Sequence, residues 1–453
     1  MLGDLGLIAG VALLIWLALK GVNILLAVLI SVLVIGLTNA MPIADVLLKY
    51  FPTGPSGAFT FAGNFLLLFL CGALFGRVMA ASHAAQGVAM GITERLGARH
   101  SILIAMLVCA LLTYGGVVVF VVMFTMYPIG VTLMRQANLP RRLYAAAIAL
   151  GAGTFTMTAL PGTPSIHNVI AARSLGTDLF AGGWYGLLGG LLMAGLGVWY
   201  LQHQWHQAQA NGEGYQSHAK DDQMAVLAPR ADQQLPRLSK SLLPIAVVLL
   251  IIMLPRLLQL ADVQAQWLLF AASQPVIWSS MALLAGVASC YVLFAPARQN
   301  FMQTMGQGAD DSLLPLINTA AVIGFGGVVI QTAGFHSFAQ WLLELQVAPL
   351  LSVYFSANLI SGVTASASGG LQIFMSALAP AYLEAGISAE LLHRVANLAA
   401  GGLDSLPHSG AVIALFTLMG LTHKQAYKDI FVVTVVIPMI AALAVVATAM
   451  LVA

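Results

Sequence analysis

Of 453 residues, 60% are apolar and only 8% are charged, where a soluble domain carries roughly 25% charged residues. The 18 Lys and Arg nearly balance the 16 Asp and Glu, for a net charge of +2, which excludes a nucleic-acid binder with its basic footprint and a disordered chain. So few charges do not solvate a water-soluble surface, and what remains is an all-α polytopic membrane protein.

A helix crossing the hydrocarbon core needs about 20 apolar residues. On that rule spans are predicted at roughly 5–19, 22–38, 61–80, 183–201, 241–260, 277–296, 313–333 and 430–452. The first is preceded by Asp4 and followed by no small-residue cleavage site, so it reads as a retained membrane helix. Cys71, Cys109 and Cys290 stand singly in apolar runs and are expected to pack as small hydrophobes. Gly182, Gly186 and Gly190 recur every fourth residue, a stripe for close helix approach. Asn318, Asn358 and Asn397 are expected to bond between helices, Arg77 to snorkel toward the cytoplasmic face, and Asp310 and Asp311 to cap the span that follows.

Two apolar stretches do not fit one span or two. The first, 101–134, bends at Thr113-Tyr114-Gly115-Gly116 and is flanked by Arg95, Arg99, Arg135, Arg141 and Arg142. Cations at both ends predict a re-entrant hairpin that enters from the cytoplasm and returns to it. The second, 345–383, bends at Thr364–Gly370 and has no Lys or Arg near either end before Arg394, so it is expected to enter from the opposite side.

The chain also repeats itself. Phe75-Gly76 matches Phe325-Gly326, Gly115-Gly116 matches Gly369-Gly370, Pro128 matches Pro380, and Leu160-Pro161 matches Leu406-Pro407, all at separations of 246 to 254 residues. Opposed hairpins make this an inverted-topology repeat, the build of secondary transporters. The units are 1–201 and 241–453, joined by a polar cytoplasmic linker, 202–240, which holds eight of the 34 charged residues in its last 28 positions. Ten spans plus two hairpins are expected, with both termini outside.

After each hairpin comes a helix with a break. The first, over 143–177, is interrupted at Ala159–Ser165; the second, over 391–422, at Asp404–Gly410. Proline removes a backbone donor and clashes with the preceding turn, and irregular backbone at bilayer depth is tolerated only where protein or a watery cavity covers it. Half-helices that restart at such breaks aim free N–H groups and a positive dipole end inward, a setting for an anion. The candidate substrate-binding residues are Thr113, Gly115, Gly116, Thr163, Ser165, His167, Asn168, Ser366, Ser368, Gly369, Gly370, His408 and Ser409; none of the four motifs contains Arg or Lys. Asp404 and His408 are candidate proton carriers, against the alternative that Asp404 caps the second half-helix. No catalytic set, metal ligands or cofactor is expected.

Gly402-Leu403-Asp404-Ser405-Leu406-Pro407-His408-Ser409-Gly410-Ala411-Val412, followed by Gly420-Leu421-Thr422-His423 and Tyr427-Lys428-Asp429-Ile430, resembles the gluconate permease (GntP-type) family. Thr158–Pro164 and Ser366–Gly370 resemble its hydroxybutyrate permease-like branch more than its gluconate branch. The resemblance implies proton-coupled uptake of small hydroxy-carboxylates, such as 3-hydroxybutyrate or a sugar acid, across a bacterial cytoplasmic membrane. It also implies a homodimer in which hairpins and broken helices move together as an elevator against a scaffold. Sodium coupling is the alternative, because unwound carbonyls also hold a cation. A reading from another class pairs Ser368 with His408 as an intramembrane serine hydrolase. Ser366 stands where such enzymes have the first Gly of Gly-x-Ser-Gly, and no HExxH motif occurs. A passive channel is a further alternative.

Overall fold

The computed structural model describes residues 2–54, 56–117, 119–218, 221, 235–261, 263, 265–344, 347–364, 366–407 and 409–452. Its described residues are built from helices and connecting turns. In the first half these are α1 (Leu2–Leu19), α2 (Ile24–Thr38), α3 (Ala58–Ala81), α4 (Ala84–Leu96), α5 (Ser101–Tyr114), α6 (Val119–Ala137), α7 (Arg141–Gly153), α8 (Ile166–Leu175) and α9 (Gly183–Ala210). In the second half they are α10 (Leu238–Leu260), α11 (Pro275–Leu293), α12 (Phe301–Val329), α13 (Ala333–Leu343), α14 (Pro349–Thr364), α15 (Ala367–Ala377), α16 (Ala389–Ala400), α17 (Gly410–Met419) and α18 (His423–Val452). A π-helical segment, Val432–Val436, interrupts α18. Among the described residues, α3, α9, α10, α11, α12 and α18 are long and apolar enough to cross a bilayer, while α1 and α2 are apolar but shorter.

Helices α3 and α12 pack along each other at the centre. The pairings around them recur with the halves exchanged. Helix α3 lies on α11, and α12 on α2; α4 touches α10, and α13 touches α1. Each of α5 and α14 packs on the helix that enters its own half's break, α7 and α16, whereas α8 lies against α15 and α17 against α6. Residues 143–148 of α7 and 392–400 of α16 are all buried, the first an apolar run and the second carrying His393, Arg394 and Asn397 into the interior. Trp184, Leu191, Leu250, Leu269 and Val292 are exposed on the periphery, a liability in water and the ordinary state of a lipid-facing surface.

The half-helices are made alike. Both α8 and α17 are 10 residues long, about 15 Å at 1.5 Å per residue, or half a hydrocarbon core. Each starts after a serine at the N-cap, Ser165 or Ser409, and each ends on a left-handed glycine, Gly176 or Gly420. Serine at the start and glycine past the end are the residues that satisfy stranded backbone groups most cheaply.

Some boundaries differ from expectation. Helix α12 starts at Phe301, so Asp311 lies inside it instead of capping it. Arg77 of α3 donates to Asp311 through Nε at 2.8 Å and through Nη2, a partner that the sequence reading did not include. Helix α9 runs on to Ala210, so the first residues of the expected linker are helical. The linker's next stretch is docked. Asp221, fully buried, accepts from Arg141 Nη1 and Nη2 at 2.7 and 2.6 Å, from Tyr127 Oη at 2.8 Å, from Tyr215 Oη at 2.5 Å and from the His218 amide at 3.0 Å. Beside it Arg142 bonds Glu213 and Asp429.

Candidate functional site

At the first break the chain leaves α7 at Gly153, makes one short helical turn, Phe155–Thr158, and stays irregular until Ser165. Hairpin α5–α6 closes over it. Gly116 takes φ +94°, which frees the tip to approach Pro164, and Tyr114 Oη donates to Pro161 O at 2.8 Å. Thr113, buried, donates to Cys109 O at 2.8 Å and lies 3.0 Å from Thr156 Oγ1; its hydroxyl joins the hairpin to the break. Ser165 caps α8, accepting from the Asn168 amide at 3.3 Å while donating to Met157 O at 2.7 Å.

Asn168 is fully engaged. Its Nδ2 donates to Thr163 O at 3.0 Å and Leu179 O at 2.8 Å, and its Oδ1 accepts from His393 Nε2 at 2.8 Å. It therefore positions the break rather than offering a free amide. Thr163 Oγ1 and His167 Nδ1 are buried with no protein partner.

The second break is the turn Leu403–Ser405 and the residues up to Ser409. Ser409 holds the N-cap position of α17 without a side-chain bond to the helix, and Asp404, five residues earlier, is not at the cap. Asp404 is half-buried and accepts from Ser405 Oγ at 3.0 Å. Helix α18 braces the segment, with His423 Nε2 donating to Pro407 O at 2.8 Å and Tyr427 Oη to Ser405 O at 3.2 Å. In the second hairpin Ser366 caps α15, accepting from the Gly369 amide at 3.1 Å, with Ser368 Oγ 3.3 Å away. Gly370 lies against Ser361, and Gly369 against Val322 of α12. His408 lies outside the described residues.

Two residues tie α16, the helix that enters the second break, to the first break, and neither carried a functional signal in the sequence. His393 bonds Asn168 and, through Nδ1, Thr177 Oγ1 at 2.7 Å. Arg394, 0% exposed, donates to Ala159 O at 2.8 Å, to Ala181 O at 3.1 and 2.8 Å and to Leu179 O at 3.4 Å. Among the described residues it has no ion pair. A guanidinium thus lies behind the first break although the four motifs contain no cation. Gly186 makes room for it, since a Cβ there would meet Ala159 O and the Arg394 side chain. Asn358, expected to bond a neighbouring helix, donates instead to Tyr354 O of its own helix at 3.0 Å, and its Oδ1 beside Gly402 has no donor. Asn397 has no partner at either amide atom.

An apolar helical bundle with two interrupted helices defines a multi-pass membrane protein, and the family and relatives that it matches make it a transporter and not an enzyme. Residues 5–452 match the model of the GntP family permeases, and the chain belongs to that family. It is 36% identical over 394 residues to the uncharacterized transporter YxjC of Bacillus subtilis (strain 168), covering 82% of this chain and 83% of that protein. It is 25% identical over 378 residues to the high-affinity gluconate transporter of Escherichia coli (strain K12), covering 82% and 79%. The YdaH transporter of Alcanivorax borkumensis aligns over 86% of both chains at a TM-score of 0.47 and 12% identity.

Proposed function

We propose that this chain is a proton-coupled symporter that takes up a small hydroxy-carboxylate, such as 3-hydroxybutyrate or a gluconate-like sugar acid, across a bacterial cytoplasmic membrane. The observation that carries the reading is the pair of matched breaks, each clasped by its own hairpin, with the first bonded by His393 and Arg394 of the helix that leads into the second. The units 1–201 and 241–453 then form two inverted-topology repeats around one site. Hairpins and broken helices move as a transport domain, α1–α3 and α10–α12 form the scaffold, and two copies form a homodimer. The amides of Ile166 and His167, left over once Ser165 has taken Asn168 and Val169, face the carboxylate with the dipole of α8 behind them. Thr163, Ser366, Ser368, His408 and Ser409 are assigned to the substrate, and Asp404 with His408 carries the proton. Thr113, Gly115, Gly116, Gly369 and Gly370 shape the tips.

Uptake of 3-hydroxybutyrate and gluconate into proteoliposomes under an imposed pH gradient tests this. Accumulation that collapses with a protonophore is expected; no gradient-driven accumulation of any hydroxy acid would sink it. The donor-less Oδ1 of Asn358 at the second break favours a second reading, sodium coupling, because an amide oxygen without a donor suits a hard cation. Uptake lost when choline replaces sodium at constant pH would select it.

A further inference from the structure

We propose that Asn397 and Thr163 form the subsite that recognises the hydroxyl group of the transported anion, with Arg394 as the fixed positive charge behind it. Residues four apart share a helix face, and His393, Asn397 and, at the C-cap of α16, Gly401 form one such stripe. Both ends of the stripe touch the first break or the half-helix that leaves it. His393 bonds Asn168, and a Cβ at Gly401 would lie 2.8 Å from Thr158 Cγ2. Arg394, on the same side, bonds Ala159 O. Asn397 lies between these contacts and therefore faces the break, and Thr163 is held to the same place through Asn168.

Asn397 is 0% exposed and Thr163 1% exposed, yet the amide N, the amide O and the threonine hydroxyl all lack a protein partner. Buried polar groups are normally satisfied, and three unsatisfied ones on α16 and on the first break, which α16 meets through His393 and Arg394, point to a polar group that comes between them. An amide offers one acceptor and two donors, and an alcohol both donates and accepts. The pair matches a hydroxyl, whereas the α8 amides suit the carboxylate. A carboxylic acid without the hydroxyl leaves all three protein atoms unpaired, which is how a polar site rejects an analogue.

This assignment rests on the hydroxy-carboxylate reading, and the test separates the two. Binding of 3-hydroxybutyrate, butyrate and gluconate to the purified full chain is measured by thermal shift for wild type, Asn397→Leu and Thr163→Val. In wild type 3-hydroxybutyrate is expected to bind on the order of 100-fold more tightly than butyrate. Each variant should lower that preference to below about tenfold. Should Asn397→Leu not fold, Thr163→Val decides. An undiminished preference, as a gap filled only by buried water would give, overturns the assignment alone. Binding of neither 3-hydroxybutyrate nor gluconate by wild type overturns the functional reading and the assignment with it.

Discussion

Arg394 is a buried cation whose acceptors are backbone oxygens of a segment that has no helix to hold it. Exchange for methionine leaves the carbonyls of Ala159, Leu179 and Ala181 without these donors, a loss of about 2–5 kcal/mol for a buried charged hydrogen-bond cluster. Arg394→Met should lower the melting temperature in detergent, and Arg394→Lys should recover only part of the loss, because an ammonium lacks the planar fork that spans several oxygens. Equal stability of wild type and Arg394→Met would mean that the first break holds its shape without it. Asp404 has a different kind of consequence. Since Ser409 holds the N-cap position of α17 and the Asp404 carboxylate is bonded by Ser405 Oγ, Asp404→Asn removes no cap. It should preserve exchange of substrate across the membrane while abolishing accumulation driven by a pH gradient. If exchange and accumulation fall together, the carboxylate serves binding or folding and not the proton.

Among the elements, the linker shows how a polar segment is fastened to an apolar bundle. Burial raises the pKa of the Asp221 carboxyl, but Arg141, Tyr215, Tyr127 and the His218 amide more than offset this and hold it well below the usual carboxylate range. Glu213 is likewise held down by Arg142. A depressed folded-state pKa contributes stability that is fully present above the ordinary value, 3.8 for Asp221, and is lost as pH falls through the depressed one. Limited proteolysis of the linker should therefore give the same cleavage rate from pH 8 to pH 5. Asp221→Asn should raise that rate at every pH in the window, because Arg141 loses its charged partner. A rate that climbs between pH 7 and pH 5 would show that another group controls docking. What was readable at this scale follows from the physics of each signal. The breaks announce themselves through Pro161, Pro164 and Pro407, because proline cannot continue a helix. The bends between α5 and α6 and between α14 and α15 show through Gly115-Gly116 and Ser366–Gly370. By contrast, α12 continues through Asp310 and Asp311, with Asp311 paired to Arg77, 234 residues away, and no local pattern reveals that partner. Helices α4 and α13, 13 and 11 residues long, are too short for a hydropathy window. The partners of Arg394 are carbonyls, which every residue has, so its role left no trace in composition or spacing, and Asn397 looked like an ordinary interhelical amide.

On the scale of the whole molecule, the two halves exchange partners in a regular way. Helix α8 of the first lies on α15 of the second, and α17 of the second lies on α6 of the first, while the long helices α3 and α12 run together between them. If the halves are inverted copies, the loop before α5 and the loop before α16 open on opposite sides of the membrane. Arg99 and Ala385 mark those loops and are exposed, whereas Cys71, Cys109 and Cys290 are buried, so the native thiols can stay. Single variants Arg99→Cys and Ala385→Cys, treated in intact cells with a membrane-impermeant maleimide, give the most direct reading of the arrangement. Labelling of the thiol at 385 from outside, with that at 99 reached only after the cells are opened, is the expected result. Both thiols reacting from the same side would contradict the inverted pair, and with it the central site built between the two breaks.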